Sequence, residues 1–472
     1  MTDIKVIYSG TYYKHGRPEY LLNGYHPAVK DFIGKKISQG YLDLDYLHNL
    51  IDQDNSDFGW RAFVSHGNFQ RYFLKHRNSN DIVMPEDIVD NGSIYLYPVE
   101  ICYAFDSILN QFSVRVEGTV HNYEFINLIP DNVLQGIRQG YVKLVLNTIH
   151  DPLENKQHIQ DLEQYLIVRG VPTKNTVIIG GNRFDDYFRQ YPSSEIKITN
   201  GYIVLNQVEN KVHEYREVMG SLGYMSEIVT EQDLDKSRKR PKKFICLNRN
   251  MHRPHRWVLA YFAVKHNLLS NSTFSFLVRH GVDAFNIKNN IEYFMGPGDY
   301  TDIANKIDRL VPLEVDTQNT QNKNGFTLNN NRKDLYADTY INIVSETSFD
   351  RGDSSSPFIS EKTFLHPMVN LQPFIIVGNP HTLKSLRDLG FKTFSPYIDE
   401  TYDTVIDFRQ RIRLIEQEIV RLNSLPQEQL HELYYSLADT VLYNQQLVMS
   451  FSNHDPFAAA FNDIRNWYES SR

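Results

Sequence analysis

Tyr340-Ile-Asn-Ile-Val-Ser-Glu-Thr347 is an apolar strand that ends on a carboxylate. A loop of Asp, Gly, Ser and Pro follows, and then Phe358-Ile-Ser-Glu-Lys-Thr-Phe364 and Gln372-Pro373-Phe374-Ile-Ile-Val-Gly378. The first and last pieces are short, continuous apolar runs bounded by turn residues, the pattern of strands buried on both faces of a parallel sheet. Between them Ser360, Glu361 and Lys362 open a helix, predicted over about Lys362 to Asn370. Strand, helix and strand in this order form the repeating unit of an α/β domain, and such domains bind ligands at the carboxyl ends of their strands. Glu346 stands at one of those ends. Ser360 with Glu361 also reads as a plain helix start, since a hydroxyl and a carboxylate both suit free N–H groups. Lys362 adds a positive point charge there.

Upstream, Lys243-Phe-Ile-Cys-Leu-Asn-Arg-Asn-Met-His-Arg-Pro-His-Arg256 has the same grammar. A strand ends near Leu247, and a helix opens at Pro254, the residue best tolerated in a first turn. Arg249, Arg253 and Arg256 cluster at the junction. Free N–H groups at a helix start and the planar fork of arginine both match phosphate oxygens. Surface salt bridges would also account for these arginines.

With these residues in place, the run from Phe244 to Asp403 resembles the donor-binding domain of fucosyltransferase-like glycosyltransferases, including those carried by large phages and viruses. The likeness rests on a strand-borne glutamate (Glu346), a Ser-Glu-Lys helix start (Ser360, Glu361, Lys362) and a Pro-Phe-Ile-Ile-Val-Gly strand (Pro373 to Gly378). It implies the GT-B architecture, two Rossmann-like domains facing across a cleft, with C-terminal helices. It also implies that Glu361 binds sugar or ribose hydroxyls, that Lys362 and Arg256 bind a diphosphate, and that Glu346 lies beside the sugar. The donor would be a GDP-sugar or UDP-sugar, used as substrate with no further cofactor and no metal. The sequence departs from the family in Glu346-Thr347-Ser348, where Glu-Asn-Ser is usual, and in the loop Phe349 to Pro357, so GDP-fucose is one candidate donor among several.

A chain of 472 residues exceeds one ordinary core, which stops growing near roughly 250 to 300 residues. Three segments are expected: an acceptor-side Rossmann-like domain over 1–235, the donor domain over 236–450, and a terminal helix in 451–472 that crosses back to the first domain. In the first part, strands at Ser93 to Val99, Tyr141 to Leu146 and Val177 to Ile179 alternate with a helix over His158 to Gly170. The charged run Glu231 to Lys243 reads as a solvated interdomain linker. In the second part further strands fall at Thr273 to Val278 and Lys392 to Phe394, with a helix at His381 to Leu389 and a long apolar helical stripe from Ile406 to Leu422.

Inverting sugar transfer needs a base for the acceptor hydroxyl and positive groups for the leaving diphosphate. His150 and Asp151, after the Tyr141 to Leu146 strand, are the candidate bases, although a helix cap or a turn explains them as well. Gly180-Gly181-Asn182 is either a ligand approach or a tight turn. No metal site is expected, Asp43 with Asp45 being a lone acidic pair in a helical stretch.

The net charge of -8 supplies no global field for a polyanion, so any phosphate site must be local. That favours a carbohydrate or glycan acceptor over DNA. Two cysteines far apart point to a cytoplasmic setting, and no run of apolar residues is long enough to span a membrane. Three readings remain: a transferase acting on carbohydrate, a phage-type DNA-base glycosyltransferase, and a non-catalytic sugar- or nucleotide-binding protein of the same fold. Sugar, acceptor, linkage and oligomeric state depend on surface shape, which these motifs do not encode.

Overall fold

The computed structural model describes residues 4–7, 82–83, 85–100, 112–116, 119–123, 126, 129–148, 156–180, 195–200, 228–251, 253–278, 282–313, 315, 333–350, 357, 359–450 and 458–470. The chain divides into two compact units, one of Met1–Tyr202 with Asp455–Arg472, the other of Ile203–His454. Both are built on parallel sheets, so the fold is α/β with two Rossmann-like units.

The first unit contains β1 (Ile4–Ile7), β2 (Ile82–Val83), β3 (Ile94–Glu100), the antiparallel pair β4 (Phe112–Val116) and β5 (Thr119–Tyr123), α1 (Asp131–Gln139), β6 (Val142–Thr148), α2 (Lys156–Val168), β7 (Thr176–Gly180) and β8 (Lys197–Asn200). Its main sheet has the order β2-β1-β3-β6-β7-β8. Central strands that are apolar throughout, such as Leu144 to Leu146, are buried on both faces, and Val133 and Ile137 of α1 with Leu162 and Leu166 of α2 join their core. The helix Ala458–Ser470 belongs to this unit: Asp463 pairs with Lys197 at 2.9 Å, and the rings of Trp467 and Tyr468 lie 5.0 and 5.5 Å from the Lys143 ammonium. Lys143 also donates to Asn175 Oδ1 at 2.6 Å. Burial, helped by the charge of Lys174, lowers its pKa to about 8.

The second unit runs β9 (Lys242–Asn250), α3 (Pro254–Lys265), β10 (Thr273–Val278), α4 (Ala284–Met295), α5 (Thr301–Leu310), α6 (Lys333–Ala337), β11 (Thr339–Ser345), α7 (Glu361–Thr363, continuing as a π turn over Phe364–Met368), β12 (Phe374–Val377), α8 (Thr382–Asp388), α9 (Phe408–Ser424), α10 (Gln427–Ser436) and α11 (Ala438–Ser450). Its sheet order is β10-β9-β11-β12, all parallel. The chain therefore lays β10 on one side of β9 and β11 on the other, and strand order reverses between β9 and β11. That is the topological switch point, where the helices following the two strands leave on opposite faces and open a crevice. The helix α3 is buried from His255 to Ala263 and packs against α4 and α5.

Two expectations are corrected here. Lys392 to Phe394 forms no strand, because side chains satisfy its backbone in place of a ladder. Asn444 accepts from Lys392 N at 2.9 Å and donates to Lys392 O at 2.8 Å, and Glu400 accepts from Phe394 N at 2.6 Å. Nor is the Glu231 to Lys243 run a solvated linker. Thr230 and Asp233 form a capping box, and Arg240 is buried, its guanidinium donating to Tyr336 O, Thr339 O and Tyr434 Oη. Lys236 pairs with Glu432, Arg238 with Asp338 and Lys239 with Glu428, at 3.0, 2.6 and 2.6 Å. Each exposed pair is weak in stability terms. Together they tie the segment to α10 and to the turn before β11, and cancel the positive patch that a nucleic acid would need.

Candidate functional site

The helices α3 and α7 begin after β9 and β11, the two strands that border the switch point. Arg253 is the cap residue of α3, Pro254 its first residue and Arg256 its third. The side chain of Arg253 makes no capping hydrogen bond to this helix start. Arg256 is buried, and its Nε donates to Ser345 Oγ, on the last residue of β11, at 3.2 Å. Lys362 reaches the same strand end from the other helix, donating to Thr347 Oγ1 at 3.0 Å. Arginine and lysine thus arrive from different helices on residues that flank Glu346.

Glu346 is fully buried. Its Oε2 accepts from Ser360 N at 3.1 Å, its Oε1 accepts from Thr363 Oγ1 at 2.5 Å, and its own N–H donates to Val377 O at 2.9 Å. The carboxylate therefore fastens the start of α7 to the end of β11. Gly378 makes room for it, since a Cβ there would lie 3.3 Å from both Cβ and Cγ of Glu346. Ser360 is buried too, and its Oγ accepts from Lys362 N at 3.3 Å, closing the turn that aims Lys362.

His255 lies at the centre of this charge. Its ring is buried, and Nε2 bonds to Glu346 O at 2.9 Å; a carbonyl only accepts, so Nε2 carries the proton. Burial first, and then the positive charges of Arg256, Lys362 and Arg253, hold its pKa well below the usual histidine range. Because its folded pKa is depressed, the unfolded chain binds the proton more readily below about pH 6.5, and each unit of acidification costs up to about 1.4 kcal/mol. His255→Gln, which keeps an N–H donor for Glu346 O, is expected to flatten this acid limb in thermal melts between pH 4 and 6.5. An unchanged limb would refute it.

The remaining predicted residues fall as follows. Arg249 lies in β9 and Glu361 opens α7, but both side chains are outside the described part of the chain. His150, Asp151, Gly181, Asn182, Asp43 and Asp45 also lie outside it, as do Gln318 to Arg332 and Arg351 to Asp353. Asp399 to Asp403, the tail of the resemblance, is a tie between elements. Asp403 accepts from Leu383 N and Lys384 N at the start of α8, and Tyr402 Oη accepts from Ile376 N in β12.

Sequence reasoning missed Arg411. From α9 its guanidinium donates to four backbone carbonyls, those of Phe349, Gly378, Val405 and Ile406. It also missed Asn248, a buried amide near the end of β9 whose signal was a polar residue directly after the apolar run Phe244 to Leu247. Among the described residues no group of three or more His, Cys, Asp or Glu is placed to hold a metal, and no helix is long and apolar enough to cross a membrane.

No protein-family model matches the chain, and no curated protein matches it. Three solved structures are similar over most of their length. A UDP-forming α,α-trehalose-phosphate synthase of Burkholderia xenovorans has 12% identity and a TM-score of 0.33, covering 93% of this chain and 87% of its own. A glycosyltransferase of Rickettsia africae has 11% identity and a TM-score of 0.33, covering 87% and 95%. The glycotransferase of kitacinnamycin has 9% identity and a TM-score of 0.27, covering 80% and 92%. At these values the likeness says nothing of activity, which has to be read from the residues themselves.

Proposed function

We propose that the chain is a glycosyltransferase whose second unit binds the diphosphate of a nucleotide sugar between the starts of α3 and α7. One observation carries this reading: Arg256 and Lys362 begin the helices that follow β9 and β11, and both converge on the end of β11 at the switch point. Parallel α/β sheets take ligands there, and a helix start beside fixed cations favours a multiply charged anion. The motif order Glu346, Ser360-Glu361-Lys362 and Pro373 to Gly378 narrows the ligand to a sugar nucleotide of the fucosyltransferase-like kind, with a GDP-sugar or UDP-sugar as donor.

In this reading Arg253, Arg256 and Lys362 stabilise the charge that builds on the departing diphosphate, so transfer needs no metal. Charges fixed before the reaction act best, and Arg256 and Lys362 are held by Ser345, Thr347 and Ser360. Glu361 takes sugar or ribose hydroxyls. Glu346 acts by position: with both oxygens engaged it sets α7 in place. The acceptor is a carbohydrate or glycan, its hydroxyl deprotonated by His150 or Asp151 with inversion at the sugar carbon. Transfer to DNA is disfavoured by the pairing of the Lys236 to Lys239 charges with carboxylates.

Equilibrium titration with GDP, UDP and their sugar conjugates tests the proposal. Lys362→Ala and Arg256→Ala should each weaken the best ligand by about 10- to 100-fold, the range of a lost charge-assisted hydrogen bond. Arg256→Lys should recover only part of that loss, since an ammonium cannot reproduce the guanidinium fork. If the native protein binds none of these ligands, or if both alanine variants bind as it does, the site is wrong. Binding with neither hydrolysis nor transfer across a broad acceptor panel would instead favour a non-catalytic binding protein.

A further inference from the structure

Asn248 occupies the switch point from the β9 side. The register that sets Thr339 beside Lys242 and Asn342 beside Ile245, continued along both strands, brings Ser345 beside Asn248. Neighbours in register on parallel strands point to the same face. Ser345 takes the Arg256 guanidinium on that face, so Asn248 lies on the face over which α3 carries Arg256. Cys246, two residues earlier on the same face, feels the positive charge of Arg256 as well.

The amide of Asn248 is only half used. The residue is 2% exposed, and its Nδ2 donates to Cys246 Sγ at 3.1 Å. Its Oδ1 has no hydrogen-bond partner among the described residues. A buried amide oxygen without a donor is costly, and such an atom calls for an explanation. Turned over, the amide would take the Cys246 S–H on its oxygen and place its N–H donors where Oδ1 now lies, so in either orientation a polar group is left there without a partner. A hydroxyl, which both donates and accepts, satisfies the amide in either orientation. Phosphate oxygens only accept, so they suit one of the two orientations, whereas a hydroxyl suits both.

We infer that Asn248 reads a hydroxyl of the sugar nucleotide: its Oδ1 accepts the O–H of a ring hydroxyl one sugar away from the phosphates held by Arg256. The inference rests on the donor-site reading above and adds a neutral specificity residue to it. In a nucleotide sugar the groups next to the diphosphate are the ribose and the transferred sugar. Both carry hydroxyls, and adjacent strands lie about 4.8 Å apart, so a ring bonded to a phosphate beside Ser345 spans the step to Asn248.

The test is a cycle of binding measurements on the full chain. Native protein and Asn248→Ala are titrated with inorganic pyrophosphate, with GDP and UDP, with their 2′-deoxy and 3′-deoxy forms, and with sugar conjugates that have or lack single sugar hydroxyls. We expect Asn248→Ala to weaken the hydroxylated ligand about tenfold, to leave pyrophosphate unchanged, and to bind one deoxy ligand as well as the native protein does. If that ligand is a deoxyribose form, the ribose is the group read; if it is a deoxysugar conjugate, the transferred sugar is. Without ligand, Asn248→Ala should melt no lower than the native protein, because it removes an unpaired acceptor; a purely structural residue would lower the melting point. Should the alanine variant fail to fold, Asn248→Leu, similar in size and without the acceptor, is read in the same way. Equal weakening of every ligand including pyrophosphate, or no weakening of any, overturns the assignment. If the native protein binds nucleotide through Lys362 while Asn248→Ala is silent, this inference falls and the donor-site reading stands. If no nucleotide binds the native protein, both fall.

Discussion

Replacing Glu346 by alanine is expected to cost about 3 kcal/mol of stability and to weaken nucleotide binding by at least about tenfold, while Glu346→Gln retains most of both. Alanine strands the Ser360 N–H and the Thr363 hydroxyl in a fully buried place and opens a void beside Gly378. The start of α7 then loses its fastening to β11, and Lys362 loses its aim. For a unit of this size the stability loss corresponds to a fall of roughly 6 to 12 °C in melting temperature. Glutamine has the same shape: its oxygen can accept from Ser360 N, and its N–H can donate to Thr363, whose hydroxyl rotates to suit. Melting curves and nucleotide titrations of the two variants separate two roles for this residue. A positioning carboxylate predicts that the glutamine variant transfers sugar within roughly threefold of the native rate. A glutamine variant that folds and binds donor normally but transfers nothing would show that the carboxylate itself takes part in the chemistry.

Much of the second unit is legible in its sequence for one physical reason: buried parallel strands are continuous apolar runs, and their ends are marked by turn residues. Phe374–Val377 and Thr273–Val278 are found where the runs predict them, and α3 begins at Pro254 as read. The Ser-Glu-Lys start left capping and ligand binding as alternatives, and the geometry shows the capping part directly, Ser360 closing the turn below Lys362.

What could not be read are contacts between residues far apart in the chain. Lys392 to Phe394 has the composition of a strand, but its backbone is taken by Asn444 and Glu400, and no local pattern announces that. Arg240 sits in a run of charges that looks solvated, and only Tyr336, Thr339 and Tyr434, close to a hundred residues or more further on, make it a buried anchor. Hydrophobic periodicity reports which face is buried; it does not report which polar groups will meet across elements.

A second loss of stability is expected at Arg411, where Arg411→Met should lower the melting temperature by roughly 4 to 8 °C and loosen the loop that carries the site. A buried charge is not by itself stabilising, and burial pulls this guanidinium down to about 10. Hydrophobic replacement of a buried ion is often tolerated when its partner is replaced as well. Here the partners cannot be replaced: they are the backbone carbonyls of Phe349, Gly378, Val405 and Ile406, and a methionine leaves those of Phe349 and Gly378 buried without their donor, while Val405 and the exposed Ile406 can turn to water. At roughly 1 to 3 kcal/mol for each of the two buried acceptors, and with the loss of countercharge to Asp350, Asp403 and Asp407, the cost exceeds a gain in apolar burial of at most about 2 kcal/mol by roughly 2 kcal/mol. Arg411→Lys keeps the charge but offers one point donor in place of a fork, so it should recover less than half of the loss. Phe349 closes the loop that runs on from Glu346 and Thr347, and its ring packs 5.7 Å from that of His255. Nucleotide affinity should therefore fall in the lysine variant as well, although Arg411 lies outside the proposed diphosphate site. A methionine variant that melts within about 2 °C of the native protein would show that these carbonyls find water or other donors, and that α9 does not hold the site loop in place.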